Sequence, residues 1–132
     1  MFNPKSRILV VDDMMAMRKL VGKALLELGF TDVTVAADGA LGWEAFASAS
    51  PKIDLVISDW NMPVSTGIDL LKRIRADGRF KTTPFILLTA ESEKSQVVMA
   101  LATGVSGYVV KPFNVDSLRQ IIEKVGAETS AA

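Results

Sequence analysis

The chain has 132 residues with fifteen basic and fifteen acidic side chains, so its formal net charge is zero. It has no cysteine and no histidine, which excludes disulfides, thiolate chemistry and zinc sites built on imidazole. No basic excess points to nucleic acid, and no apolar stretch is long enough to insert in a membrane. We expect one cytoplasmic, monomeric globular domain over residues 1–132, with a core from about 7 to 125 and a short tail that frays from Glu128.

Five short apolar runs predict buried strands. They cover residues 8–11, 33–36, 55–58, 85–88 and 107–110.

Apolar residues at helical spacing predict a helix after each strand. The pattern is clearest in the first helix, over residues 17–28, and in the fifth. Asp38 is a candidate cap of the second helix, although Gly39 and Gly42 count against a stable helix there. The fourth helix, over about 93–103, is short of apolar anchors. Its candidates are Val97, Val98 and Leu101.

This alternation predicts an α/β fold: a doubly wound, five-stranded parallel sheet with right-handed crossovers and five helices on its two faces. For one domain of this size we expect the flavodoxin-like strand order 2-1-3-4-5. Strands 1, 3, 4 and 5 are then neighbours. The polar residues that follow them would meet at the carboxyl edge of the sheet: Asp12, Asp13, Asp59, Thr89 and Lys111.

Three crowded carboxylates repel one another unless a cation is present or their pKa values rise. Oxygen ligands without histidine or cysteine favour Mg²⁺. Asp13 and Asp59 are candidate direct ligands, with the Asn61 backbone carbonyl as a third. Asp12 is expected to bind a water on the metal. With Lys111 and Thr89 as donors, the set suits phosphoryl transfer to Asp59, which would form an aspartyl phosphate.

The chain also resembles the receiver domains of two-component response regulators, and among them the single-domain chemotaxis members. The matching segments are Val-Val-Asp-Asp at 10–13, Asp-Trp-Asn-Met-Pro at 59–63, Arg-Ala-Asp-Gly at 75–78, Thr-Ala-Glu at 89–91 and Gly-Tyr-Val-Val-Lys-Pro-Phe at 107–113. The acid pair, the acceptor aspartate, Thr-Ala and Lys-Pro each follow the strand that the family pattern requires, and the segments extend through nearly the whole chain.

The resemblance implies that Asp59 receives its phosphoryl group from a phosphohistidine of a chemotaxis-type histidine kinase, with Mg²⁺. The protein would then be a switch that catalyses its own phosphorylation and slow dephosphorylation, and not an enzyme. Asn61 and Glu91 occupy positions that tune dephosphorylation, with a phosphatase as a further candidate partner. Thr89 would move toward the phosphoryl group as Tyr108 turns inward.

The resemblance also implies an output face made by helix 4, strand 5 and helix 5, which would bind the flagellar motor switch. Strand 5 is a sheet edge in the expected order, and its exposed apolar residues favour a partner site. The predicted contacts are Tyr108, Val110, Phe113 and Lys124.

One loop departs from the family pattern. The family usually has an acidic residue before the loop glycine, where this chain has Val64-Ser65-Thr66 before Gly67. We expect this to affect dephosphorylation or the fit of a phosphatase, and not phosphorylation itself.

The methionines that follow Asp13 and the tryptophan that follows Asp59 can be explained by packing alone. We expect Met14, Met15 and Met17 to pack in the core or at its rim. For Trp60 the sequence leaves rim packing and partner contact equally open.

Other functions are open as alternatives. A phosphorelay outside chemotaxis would use the same residues. A Mg²⁺-dependent small-molecule phosphohydrolase would need a general acid and a substrate cap, and the sequence shows neither. A flavin carrier would need a glycine-rich phosphate loop after strand 1, where Asp12 and Asp13 would repel the anion. A structural pseudo-receiver normally lacks an acid or the lysine, which are all present here.

Overall fold

The computed structural model describes residues 2–62, 64–90 and 94–131. The elements in chain order are β1 (Arg7–Val11), α1 (Met15–Glu27), β2 (Asp32–Ala36), α2 (Gly39–Ser48), β3 (Leu55–Asp59), α3 (Gly67–Ala76), β4 (Phe85–Ala90), α4 (Lys94–Thr103), β5 (Gly107–Lys111) and α5 (Val115–Ala131). Every neighbouring strand pair is parallel, and the strand order is β2-β1-β3-β4-β5. The predicted flavodoxin-like fold is confirmed.

The sheet has a packed core on each face. On one face, Phe46 of α2 and Leu71 of α3 pack in a cluster with Leu87 of β4. On the other face, Leu25 of α1 and Leu118 of α5 pack in a cluster with β1, β3, β4 and β5. Successive residues of β1, β3 and β4 alternate between the two clusters, so these central strands are buried on both sides. This explains why they appear in the sequence as continuous apolar runs.

The glycines that weaken the predicted second helix are required by close packing. A Cβ on Gly39 would lie 2.6 Å from the hydroxyl oxygen of Ser65, and one on Gly42 would lie 3.0 Å from a methyl group of Val11. The predicted cap is confirmed, because the Asp38 side chain accepts a hydrogen bond from the first turn of α2. The glycines therefore let α2 approach β1 and the loop before α3.

The fourth and fifth helices differ from the sequence prediction. In α4, Val98 is 69% exposed and Leu101 is 57% exposed, so neither anchors the helix, and Ala100 is the buried residue instead. The fifth helix continues to Ala131, whereas the sequence predicts fraying from Glu128. In the described parts of the chain, no helix is both long enough and apolar enough to cross a membrane.

The fold predicts opposite effects for two glycine substitutions. Gly22 lies inside α1, where an added Cβ would meet no atom within 4 Å. Gly22→Ala should therefore raise the free energy of unfolding by roughly 0.5–1 kcal/mol, measured by urea denaturation. Gly67→Ala is the contrasting control, because its Cβ would collide with the carbonyl oxygen of Asp59. A Gly22→Ala protein that is no more stable than the unmutated one would contradict this account.

Candidate functional site

Three carboxylates meet at the carboxyl edge of the sheet, as predicted. Asp12 and Asp13 follow β1, and Asp59 is the last residue of β3. The register pairs Val11 with Ser58, which brings these two strand ends side by side. One carboxylate oxygen from each acid lies within 4.8 Å of the others. The topology alone therefore concentrates negative charge at one point.

Asp12 is fully buried and is held by the backbone around it. Its Oδ1 accepts a hydrogen bond from Met14 N at 2.9 Å, and its own N–H donates to Ala36 O at 3.1 Å. Arg18 Nη1 donates to the Asp12 carbonyl oxygen at 2.7 Å. Sequence reasoning missed Arg18, since nothing in the helical pattern marks a side chain that turns back to the preceding loop.

The second carboxylate oxygen of Asp12 is in a different situation. Oδ2 is buried and accepts no hydrogen bond from any residue that the structure describes. Burial raises the pKa of Asp12 above its usual value, and the negative charges of Asp59 and Asp13 raise it further. The hydrogen bond from Met14 and the charge of Lys111 act in the opposite direction. The site therefore holds more negative charge than its own donors satisfy.

Lys111 supplies the predicted counter-charge. It is the last residue of β5, paired in register with Ala90. Its Nζ donates to Asp59 Oδ1 at 2.8 Å and lies 3.8 Å from Asp12 Oδ2. The ammonium is thus in direct contact with the candidate nucleophile.

Thr89 lies in β4 beside this ion pair and is 2% exposed. It is paired with Val110 of β5, and Leu87 is paired with Tyr108. Residues paired in this way project to the same face of a sheet. Thr89, Val110 and Tyr108 therefore share the face covered by α4, with both β5 side chains exposed at the sheet edge.

The predicted output residues fall into two groups. Tyr108, Val110 and Lys124 line one cavity of about 510 Å³ between β5 and α5. Phe113 lines a different cavity, against Leu20 and other residues of α1, and packs on the core of that face. The structure brings three of the four predicted contacts together.

Of the two residues predicted to tune dephosphorylation, only Asn61 lies in the described part of the chain. Asn61 is exposed in the loop that follows β3, next to the acid cluster. Glu91 lies outside the described residues.

The aromatic and methionine side chains near the site do not follow the sequence prediction throughout. Trp60 is 6% exposed and belongs to the core, so neither rim packing nor partner contact describes it. Met14 and Met15 are both more than half exposed, so of the predicted packing in the core or at its rim, core packing is wrong for these two residues. Met17 does pack against the core cluster between α1 and α5.

In the loop that departs from the family pattern, Thr66 has a structural role as the N-cap of α3. Its hydroxyl oxygen accepts a hydrogen bond from Asp69 N at 3.2 Å, while Asp69 Oδ2 accepts one from Thr66 N at 3.1 Å. This capping box starts α3, and an aspartate would serve equally well as the cap. The spacing of Thr66 and Asp69 is a signal that sequence analysis could have used.

The acid cluster fits a hard divalent cation. All its ligand atoms are oxygens, and the buried Asp12 Oδ2 needs a positive partner that the described residues supply only at 3.8 Å, from Lys111. Mg²⁺ would be held by Asp12, Asp13 and Asp59. A ligand from the Asn61 carbonyl stays a prediction.

The site combines an acid cluster with a lysine and a threonine at the carboxyl edge of a flavodoxin-like sheet. This combination defines a receiver-type site. The chain belongs to the response regulator receiver domain family, whose model matches residues 8–123.

Chemotaxis proteins are among its relatives. It is 44% identical to chemotaxis protein CheY of Pseudomonas aeruginosa over 119 residues, which cover 90% of this chain and 94% of that protein. It is 41% identical to chemotaxis protein CheY-3 of Vibrio cholerae over 123 residues, 93% of each chain. The structure of chemotaxis response regulator CheY4 of Vibrio cholerae is similar with a TM-score of 0.83 at 35% identity, covering 92% and 98% of the two chains. The chain is accordingly a phosphorylation-activated response regulator of the chemotaxis type.

The raised pKa of Asp12 predicts a pH-dependent stability. The folded protein binds the proton of the Asp12 carboxyl more tightly than the unfolded chain does. The contribution of this proton to the free energy of unfolding is therefore complete below the ordinary pKa of 3.8 and is lost as the pH rises through the folded pKa. In EDTA at pH 7, the free energy of unfolding of Asp12→Asn, measured by urea denaturation, should exceed that of the unmutated protein by about 1–3 kcal/mol. The difference should shrink as the pH falls.

The matched control is Glu44→Gln, which removes one exposed negative charge away from the cluster. A pH-independent difference between Asp12→Asn and the unmutated protein, or no difference at all, would contradict the account of Asp12 as a carboxylate whose pKa is raised by burial and by its acidic neighbours.

Proposed function

We propose that Asp59 accepts a phosphoryl group from a phosphohistidine of a histidine kinase, and that phosphorylation changes the face of α4, β5 and α5. The observation that carries this proposal is the 2.8 Å contact between Lys111 Nζ and Asp59 Oδ1, within the cluster that Asp12 and Asp13 complete. A carboxylate that already binds an ammonium and lies beside two further acids is placed for charge-assisted phosphoryl transfer.

The transfer step uses groups that this chain positions. An Asp59 oxygen attacks phosphorus, an O–P bond forms, and the N–P bond of the phosphohistidine breaks with its electron pair left on the imidazole nitrogen. Lys111 donates to a phosphoryl oxygen, which it can reach because it already contacts the Asp59 carboxylate. Bound Mg²⁺ supplies neutralisation of the phosphoryl charge.

Hydrolysis of the aspartyl phosphate ends the signal. Water attacks phosphorus, the bond to Asp59 breaks, and inorganic phosphate leaves as the carboxylate is restored. In this proposal the protein is a switch and not an enzyme in the usual sense, because its output is the phosphorylated state of Asp59, whose formation and slow loss it catalyses itself. The chain has no histidine, so the phosphohistidine must belong to a partner.

The signal reaches the output face through the sheet register. Thr89 is paired with Val110, and both lie on the same face as Tyr108. A movement of the Thr89 hydroxyl toward a phosphoryl group on Asp59 frees space beside Val110 and Tyr108. These two side chains and Lys124 line one cavity, which is where we place the output partner.

The names of the relatives support chemotaxis as the pathway. We propose the flagellar motor switch as the output partner, a chemotaxis-type histidine kinase as the donor and a cytoplasmic location. The prediction that the chain acts as a monomer stays open to test.

The proposed acceptor can be tested by labelling with radioactive acetyl phosphate. The unmutated protein should take up about one equivalent in Mg²⁺ and none in EDTA, and hydroxylamine should release it because the product is an acyl phosphate. Asp59→Asn should abolish the label. Asp116→Asn, which removes an exposed acid on α5, is the matched control and should label normally. Full labelling of Asp59→Asn would move the acceptor to another residue.

Lys111→Arg separates the chemistry from the switch. Arginine keeps the charge but replaces a compact ammonium with a longer planar group. We expect Asp59 still to be phosphorylated. In the unmutated protein, beryllofluoride should raise the affinity for the candidate motor-switch protein by about 5–150-fold. In Lys111→Arg this increase should be less than about half as large. Lys52→Arg, away from the acid cluster, is the control. An unchanged rise in affinity for Lys111→Arg would remove Lys111 from the switch.

A further inference from the structure

Arg75 makes an unusual pair of contacts at the end of α3. Its side chain is half-buried, and no carboxylate in the described ranges lies within ion-pair distance of it. Instead, Nε donates to Gly104 O at 2.9 Å and Nη1 donates to Thr83 O at 2.7 Å. A guanidinium keeps its charge even where burial lowers its pKa, as it does here. Both bonds are therefore charge-assisted, and they join α3 to two other segments.

One of those segments is the turn that ends α4. Gly104 has a left-handed φ of +101°, and the N–H groups of Gly104 and Val105 both donate to Ala100 O. This is a glycine cap of the kind that closes a helix. The next residue, Ser106, donates its N–H to Phe85 O and accepts a hydrogen bond from Phe85 N at its hydroxyl oxygen, both at 2.9 Å. The end of α4 is thus fixed to α3 and to the beginning of β4.

The rest of α4 is packed much less firmly. Among its described side chains only Ala100 is buried, and Val97 and Thr103 are half-buried. The larger apolar residues point outward: Val98, Met99 and Leu101. Since apolar burial is small, the polar contacts at the Gly104 end contribute a large share of what holds this helix in place.

The two ends of α4 face different edges of the sheet. In a parallel α/β unit, a helix begins near the carboxyl edge and returns to the amino edge. The first turn of α4 therefore lies toward the edge that carries Asp59 and Thr89, and Arg75 holds the opposite end. Ala100 belongs to the same core face as Leu87, which is also the face of Tyr108.

We propose that Arg75 is a positioning residue of the switch, which fixes the C-terminal end of α4 as a pivot so that phosphorylation tilts this helix and does not displace it as a whole. The proposal rests on the proposed function, since it needs a phosphoryl group on Asp59. A tilt about the Gly104 end changes how far α4 covers Tyr108 while leaving the turn into β5 in place.

Backbone hydrogen exchange with and without Mg²⁺ and beryllofluoride tests the pivot. In the unmutated protein, beryllofluoride should change exchange several-fold in the first half of α4 and leave the amides near Gly104 within about twofold. In Arg75→Gln the last turn of α4 should exchange about tenfold faster without beryllofluoride. Beryllofluoride should then alter the whole helix. Arg75→Lys, which keeps the charge but loses the planar pair of donors, should be intermediate.

Arg79→Gln is the matched control, because it removes the same charge close to the end of α3 from an exposed side chain that pairs with Asp77. Amides of β3 report global stability and should be unchanged in Arg75→Gln, since a merely structural role would speed exchange throughout the chain. Retained protection at Gly104 in Arg75→Gln, or a beryllofluoride response still confined to the first half of α4, would overturn the pivot. Failure of acetyl phosphate to label Asp59 in the unmutated protein would be a separate result, which overturns the proposed function and the pivot with it.

Discussion

The constraint on which this structure depends is the repulsion among Asp12, Asp13 and Asp59. Their oxygens lie within 4.8 Å of one another, and one of them, Asp12 Oδ2, is buried without a hydrogen-bond donor among the described residues. A protein that only had to be stable would not place three acids there. The sheet tolerates the arrangement because Lys111 reaches two of the carboxylates and because the rest of each strand is buried apolar surface. The repulsion at this edge would be relieved by a divalent cation, which is the physical reason that the cluster fits one.

The same sheet register that assembles the site also divides the molecule into two sides. Alternate residues of β5 face opposite layers, so Val109 packs with α1 and α5 while Tyr108 and Val110 face the layer of α4. Thr89 shares the second side with them. In the proposed switch, a change at Asp59 would therefore act on the side that carries α4, whose described large apolar side chains are mostly exposed, and the core between α1 and α5 would stay as it is.

The fold and the meeting of the acids and the lysine were predictable because both depend on the order of strands. Once five apolar runs alternate with five helices, the positions of Asp59 and Lys111 follow from topology. What the sequence does not reveal depends on side-chain direction. Trp60 follows a strand and precedes a turn, which suggested exposure, yet it fills the core. Val98 and Leu101 are apolar but point outward, because the small Ala100 occupies the contact with the sheet. Arg75 belongs to a recognisable motif, but its two carbonyl partners are distant in sequence.

The burial of Trp60 gives the protein a built-in optical probe. Trp60 is covered by core residues and is covalently next to Asp59. The second tryptophan, Trp43, is half-buried, and the guanidinium carbon of Arg73 lies 4.4 Å from the centroid of its ring. A shielded indole emits at shorter wavelength than a partly hydrated one. A change on the short-wavelength side of the emission is therefore expected to report mainly on Trp60 and on the state of the neighbouring carboxylate, without attaching a dye or altering the chain.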